Sequence, residues 1–93
     1  MILFNMLCPN TKFLTVPGAP PVPTGLRFTR NTTTQCEVTW TVSAGASYYQ
    51  IRSGSGLIDT TSGSVYSYDE RCRRPYTVRA CNAQACSAWS TGL

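Results

Sequence analysis

YTVRACNAQACSAWS, at residues 76–90, alternates apolar and polar side chains on both sides of a short turn. Successive side chains of a β-strand point to opposite faces, so Tyr76, Val78 and Ala80 would share the buried face of one strand. Two cysteines flank the turn, and a tryptophan lies in the segment that follows it. The pattern predicts two antiparallel strands joined as a hairpin.

The same alternation recurs upstream, in short runs separated by turn-forming residues. Three alternating runs are marked by Leu26 and Phe28, by Cys36, Val38 and Trp40, and by Tyr49 and Ile51. Leu57 and Ile58 begin a further short strand, and Val65 and Tyr66 lie in the next. Short strands with frequent turns predict an all-β sandwich or barrel. We expect Trp40 at the centre of the core, because large aromatic side chains dominate small cores. Its predicted neighbours are Leu26, Tyr49, Ile51 and Val78.

Several motifs occur in an order and spacing typical of one known family. They are Pro21-x-Pro23-x-x-Leu26, Trp40, Tyr49-x-Ile51 and Tyr76-x-Val78-x-Ala80-x-Asn82. Together they resemble the fibronectin type III domain, especially its bacterial, disulfide-bearing versions, over about residues 20–93. The resemblance implies an antiparallel, immunoglobulin-like β-sandwich that serves as a binding or spacer module. Two positions differ: Arg74 stands where the family has its corner tyrosine, and Ala85 where its last turn has glycine.

The resemblance also implies a pairing of the cysteines. Cys36 and Cys72 would lie at the same end of such a sandwich, where a bond would fasten the loop that carries Arg74. Cys81 and Cys86 would face outward at opposing positions of the last hairpin, within disulfide reach. Disulfides indicate an oxidising compartment or an extracellular particle, so we expect an extracellular or virion-surface protein. Cys8 is left as a free thiol or an intermolecular partner.

The composition argues against catalysis and against several ligand classes. The chain has no histidine, which removes Ser-His and Cys-His nucleophile pairs, and its four acidic residues suggest no carboxylate pair across a cleft. We therefore predict no enzyme activity, no metal and no cofactor. A net charge of +4 is too small for the dense basic stripe of nucleic-acid-binding proteins. No apolar run approaches the roughly 20 residues of a membrane span.

The first 23 residues differ from the rest of the chain. We divide the chain into an apolar arm at residues 1–16, a proline-rich linker at 17–23 and a sandwich at 24–93. The large apolar residues of the arm are Ile2, Leu3, Phe4, Met6, Leu7, Phe13 and Leu14. Exposed, such a segment would promote aggregation, so we expect it to pack on another subunit. The alternative is an arm folded back on its own sandwich.

Three further surfaces have both a structural and a functional interpretation. Residues 86–90 resemble the WSxWS box of cytokine-receptor domains, so Trp89 would stack on Arg79 and Arg52, as a structural ladder or as a ligand patch. The last turn would present Ala83 and Gln84 to a partner or be only a staple. The third surface is a basic loop formed by Arg71, Arg73 and Arg74, which would grip an acidic partner or phosphate or be only a solvated loop. Separately, Asn31-Thr32-Thr33 fits a glycosylation sequon in an exposed turn.

These observations predict a structural or attachment subunit of an extracellular or virion assembly, such as a surface fibre or capsid decoration. Its partners would be proteins, either copies of itself or other subunits. The alternative is an autonomous module that binds a protein or glycan through the Trp89/Arg79 face or the last hairpin.

Overall fold

Two antiparallel sheets build the part of the chain that the computed structural model describes, residues 18–54 and 56–93. Their strands are β1 Arg27–Asn31, β2 Cys36–Thr39, β3 Tyr48–Ser53, β4 Leu57–Thr61, β5 Val65–Tyr68 and β6 Tyr76–Cys81. One sheet has the order β1-β2-β5 and the other β4-β3-β6. Neighbouring strands are antiparallel throughout, which confirms the predicted β-sandwich.

The core forms where the inward faces of the two sheets meet. Alternate residues of β3 and β6 are buried, as the sequence pattern predicts, and Val38, Ile51 and Val78 are almost inaccessible to water. Trp40 is 3% exposed and packs edge-to-face against Tyr49, with 5.3 Å between ring centroids. The predicted core is confirmed, because all of its expected members belong to one cluster or pack directly against it.

β1 begins at Arg27, one residue later than the alternation from Leu26 predicts. Leu26 is half-buried and still packs against the core. The preceding Gly25 has a φ of +69°, and a Cβ there would lie 2.8 Å from Thr41 Oγ1. The close approach and the left-handed backbone together require glycine, so regular pairing starts only after this turn.

The segment after the last turn is not the regular strand that the sequence predicts. Beyond an isolated bridge between Cys81 and Cys86, it runs beside β6 with a three-residue repeat of hydrogen bonds. The backbone NH groups of Ser87, Ser90 and Leu93 donate to the carbonyls of Ala80, Val78 and Tyr76, at 2.7, 2.8 and 2.8 Å. Three residues thus match every two of β6, which is incompatible with an uninterrupted ladder.

Serine hydroxyls explain why this irregular segment is stable. Ser87 Oγ accepts a hydrogen bond from Ala80 N at 3.0 Å, and Ser90 Oγ accepts one from Val78 N at 3.0 Å. Each hydroxyl thus replaces a backbone carbonyl that a regular strand would supply. Both serines are buried, so without these bonds the β6 amides would be left unsatisfied.

The described part of the proline-rich segment, residues 18–23, lies against the sandwich. Pro20 and Pro23 are buried, Asn82 Nδ2 donates to Gly18 O at 2.8 Å, and Ser43 Oγ donates to Pro21 O. The linker therefore does not stand away from the domain along this stretch. Residues 1–17, with the arm and Cys8, lie outside the described residues, so the proposed division of the chain stays a prediction.

Candidate functional site

A ladder of two arginines and one tryptophan covers part of the outer face of the β4-β3-β6 sheet. Arg52 lies on β3 and Arg79 on β6, both at positions that point away from the core. Their guanidinium carbons lie 4.3 and 4.6 Å from the centre of the Trp89 ring. Arg79 Nε also donates to Gln50 Oε1 at 2.8 Å, which fixes the plane of its guanidinium group.

The backbone of the last segment places Trp89 over these arginines. Ser87 and Ser90 are both held to β6 through backbone and side-chain hydrogen bonds, so the two residues between them cannot shift along the strand. Trp89 is half-buried as a result. The predicted stacking of Arg52, Arg79 and Trp89 is therefore present in the structure.

Cation–π pairs at exposed sites contribute about 0.5–1 kcal/mol each. Two such pairs would contribute about 1–2 kcal/mol by the same rule, which is useful to a small domain. The same side chains also form a cationic, partly apolar patch that an acidic or aromatic partner could contact. The geometry supports a structural role directly and leaves the ligand patch as a hypothesis.

The last turn is closed by a disulfide and by an asparagine side chain. Asn82 Oδ1 accepts hydrogen bonds from Gln84 N at 2.8 Å and from Ala85 N at 2.9 Å. This side chain satisfies the turn, which explains how Ala85 replaces the glycine usual in the family. Ala83 and Gln84 are exposed, and Gln84 lies beside Gly18.

Both predicted disulfides are confirmed, with one correction. Cys36–Cys72 and Cys81–Cys86 are bonded, with Cα separations of 4.8 and 4.0 Å. Cys81 was expected to face outward, but its exposed fraction is 0%. The segment after the last turn lies alongside Cys81, and the Cys81 carbonyl accepts a hydrogen bond from Ser47 N at 2.7 Å. Apolar–polar alternation therefore does not predict the burial of Cys81, because the tight turn after β6 folds over the outer face of the strand.

The three arginines of the basic loop do not converge on one point. Arg73 forms an ion pair with Glu70, and the guanidinium of Arg74 lies 5.2 Å from the centre of the Phe28 ring. Arg71 lines a shallow surface depression with residues 31–33, which include the exposed Asn31. The arrangement fits a solvated loop better than a single anion site.

Tyrosine hydroxyls anchor this loop where the sequence lacks the family's corner tyrosine. Tyr76 OH accepts a hydrogen bond from Arg73 N at 2.7 Å and is hydrogen-bonded to Tyr68 OH. Burial and the bond to Tyr68 raise the pKa of Tyr76 to about 12. Sequence reasoning missed this anchor, although tyrosines alternating with polar residues in β5 were a signal for it.

A third tyrosine, Tyr66, links the two sheets at the edge formed by β4 and β5. Tyr66 OH donates to Asp59 Oδ2 at 2.6 Å, and Asp59 lies on the edge strand β4. Burial, followed by the hydrogen bond to this carboxylate, raises the pKa of Tyr66 well above its ordinary value. An acidic side chain at an edge strand also discourages pairing with other chains.

Two findings concern metal binding and membrane crossing. Within residues 18–54 and 56–93, no three His, Cys, Asp or Glu side chains cluster in a way that could hold a metal ion. Over the same residues, no helix has the length and apolar character needed to cross a membrane.

Solved structures with the same fold are known. The fn3 domain of the human collagen alpha-1(XX) chain aligns with a TM-score of 0.66 and 22% identity, over 84% of this chain and 85% of that one. The crystal structure of FN3tt aligns with a TM-score of 0.62 and 21% identity, over 78% of this chain and 92% of that one. No family model matches the sequence, and no curated protein matches it. The predicted fibronectin type III fold is confirmed.

Proposed function

We propose that this fibronectin type III-like module is a non-enzymatic structural or attachment subunit of an extracellular assembly, and that it docks through residues 1–16. The assembly would be a surface fibre or a capsid decoration on a virion. Modules of this fold commonly serve protein interaction or structure, and the two disulfides suit an extracellular setting.

The observation that carries the proposal is the contrast between the arm and the body of the chain. Eight large apolar side chains, Met1 and the seven named above, lie within the first 14 residues of the sequence. Among the described residues, the core cluster and the side chains packed against it lie from Leu26 onward. We therefore assign the arm to contacts outside the sandwich. Burying even half of these side chains would stabilise a complex by several kcal/mol at about 25 cal/mol per Å².

The test compares two full-length variants that differ only in where charge is added. Phe4→Asp with Leu7→Asp places two carboxylates among the apolar residues, whereas Asn5→Asp with Thr11→Asp adds the same charge at polar positions of the arm. We expect the first variant to stay monomeric by light scattering at concentrations where wild type associates. The second should associate as wild type does. If all three chains associate equally by light scattering, the proposal is refuted.

The alternative function is a binding module that recognises a protein or glycan through the ladder or through the last hairpin, where Ala83 and Gln84 are exposed. Support for the ladder is the positive charge of Arg52 and Arg79 beside the half-buried Trp89 ring. Trp89→Ala should lower the free energy of unfolding by about 1–2 kcal/mol, through loss of both cation–π pairs. The matched control is Val42→Ala, since Val42 is 70% exposed. A ligand-binding role would require partner affinity to fall in Trp89→Phe, which keeps an aromatic ring and most of the stability.

A further inference from the structure

An open groove of about 340 Å³ runs between two segments that flank the sandwich, residues 22–26 and 91–93. Val22 and Leu93 are half-buried along it, and Pro23 is buried. Leu26 and Leu93 pack against the core cluster as well, so the floor of the groove is continuous with the hydrophobic core. An apolar side chain that entered the groove would therefore extend this core.

Two glycines lie along the groove. Gly25 and Gly92 both line it and contribute no side chain. A Cβ at Gly25 would strike Thr41 Oγ1 at 2.8 Å, so this position cannot carry a larger residue without a shift of the backbone. The backbone of this wall is thus constrained at Gly25.

The hydrogen bonds of the two walls run away from the groove. Thr24 O accepts from Thr41 N at 2.8 Å, on the side of β2. Leu93 N donates to Tyr76 O at 2.8 Å, on the side of β6. Each wall is therefore the outermost segment of its sheet, and an extended chain could lie between them with its side chains on the apolar floor.

We propose that this groove receives the apolar N-terminal arm of a second copy of the chain. The inference rests on the proposed function, and it names the acceptor for the arm. The groove has an apolar floor, and residues 2–7 are the densest apolar stretch in the sequence, with one polar residue in six. The apolar arm and the apolar floor of the groove are therefore chemically complementary.

Chain length allows the arm to reach a second copy, and the path of residues 19–23 disfavours the arm's own groove. Residues 2–7 precede Gly18 by 11–16 residues, so an extended chain could carry them roughly 35–55 Å from it. The strands of the sandwich have four to six residues, or roughly 13–20 Å. Residues 19–23 already occupy the flank between Gly18 and the groove, so an arm inserted into its own sandwich would have to pass back over them.

The first experiment places a carboxylate in the groove of the full-length chain. Val22→Asp should raise the dissociation constant for self-association by about tenfold or more, because an apolar chain cannot cover an ionised side chain. The matched control is Val42→Asp, the same substitution at a valine that is 70% exposed and outside the groove. Thr91→Asp tests the opposite wall at an exposed position, in case Val22→Asp does not fold.

The second experiment identifies the acceptor directly. A photo-crosslinking residue replaces Phe4, and isotope-labelled and unlabelled chains are mixed before illumination and peptide mass spectrometry. We expect mixed-isotope products that join residue 4 to residues 19–26 or 87–93.

Products within a single chain would mean that the arm folds back, and they would overturn the inference. Mixed products elsewhere on the sandwich, with the Phe4→Asp/Leu7→Asp variant still monomeric, would leave the proposed function standing and remove the groove as its acceptor. A wild-type chain that never self-associates would overturn the inference, and one that also joins no larger particle would overturn the proposed function.

Discussion

Replacing Trp40 with alanine is the sharpest test of how the sandwich is held together. The Trp40 side chain is 3% exposed, and an aromatic side chain of this size buries about 150–250 Å². At about 25 cal/mol per Å² the lost burial is worth about 4–6 kcal/mol. The edge-to-face contact with Tyr49 adds about 0.5–1.5 kcal/mol.

One feature of Trp40 works in the opposite direction. Its Nε1 is buried and has no hydrogen-bond partner among the described residues. An unsatisfied buried donor costs about 1–3 kcal/mol, and the alanine variant is relieved of that cost. The net loss for Trp40→Ala is therefore about 3–5 kcal/mol, which is in line with other large aromatic-to-alanine changes in cores. That is a large share of the roughly 5–15 kcal/mol that stabilises a domain.

Urea denaturation of the oxidised chain, followed by circular dichroism, measures this loss. Trp40→Phe is the informative companion, since it keeps a ring against Tyr49 and removes the unsatisfied NH. We expect it to cost about 1–2 kcal/mol, less than the alanine variant loses. If phenylalanine costs as much as alanine, or if alanine costs less than about 1 kcal/mol, Trp40 is not the centre of the core.

Three other outcomes follow from the two disulfides and from Tyr76. Replacing the Cys36–Cys72 pair by alanines should cost about 4 kcal/mol and replacing the Cys81–Cys86 pair about 2 kcal/mol, because the closed loops span 36 and 5 residues; denaturant melts of the two double variants would show any reversal of this order. The free energy of unfolding should fall from about pH 10 to pH 12, because folded Tyr76 with its pKa of about 12 keeps a proton that the unfolded chain releases near pH 10. Tyr76→Phe should make this decline shallower in melts across the same range, and an unchanged slope would contradict the assignment.

Residue periodicity carries enough information to predict the two sheets and their core. Inward positions of β2, β3 and β6 repeat every second residue, and the structure buries them as the pattern requires. The Cys36–Cys72 pairing followed from the family resemblance, which places both cysteines at the same end of a sandwich, and the Cys81–Cys86 pairing from the length of the last turn. These are properties of the backbone and its pairing, which sequence patterns report well.

Side-chain hydrogen bonds that replace backbone bonds escaped the sequence reasoning. Ser87 and Ser90 satisfy β6 amides and so allow a three-residue repeat in place of a strand. Asn82 closes a turn without glycine, and Tyr76 holds the loop of Arg73 without the corner tyrosine. A hydroxyl or an amide has no fixed spacing to its partner in the sequence. Its role appears only when both ends of the bond are placed in space.

β6 is held at both ends and along its length, which bears on how the module could act. Its first residue, Tyr76, carries the hydroxyl network, and its last residue, Cys81, carries a disulfide. Between them, Arg79 is stacked on Trp89. A frame fixed in this way loses little conformational freedom when its outer face meets a partner, so little binding energy is spent on ordering it. An extended arm, by contrast, would lose freedom in every residue that it orders. Its apolar side chains must offset that cost, so substitutions there should change assembly more steeply than substitutions on the ladder.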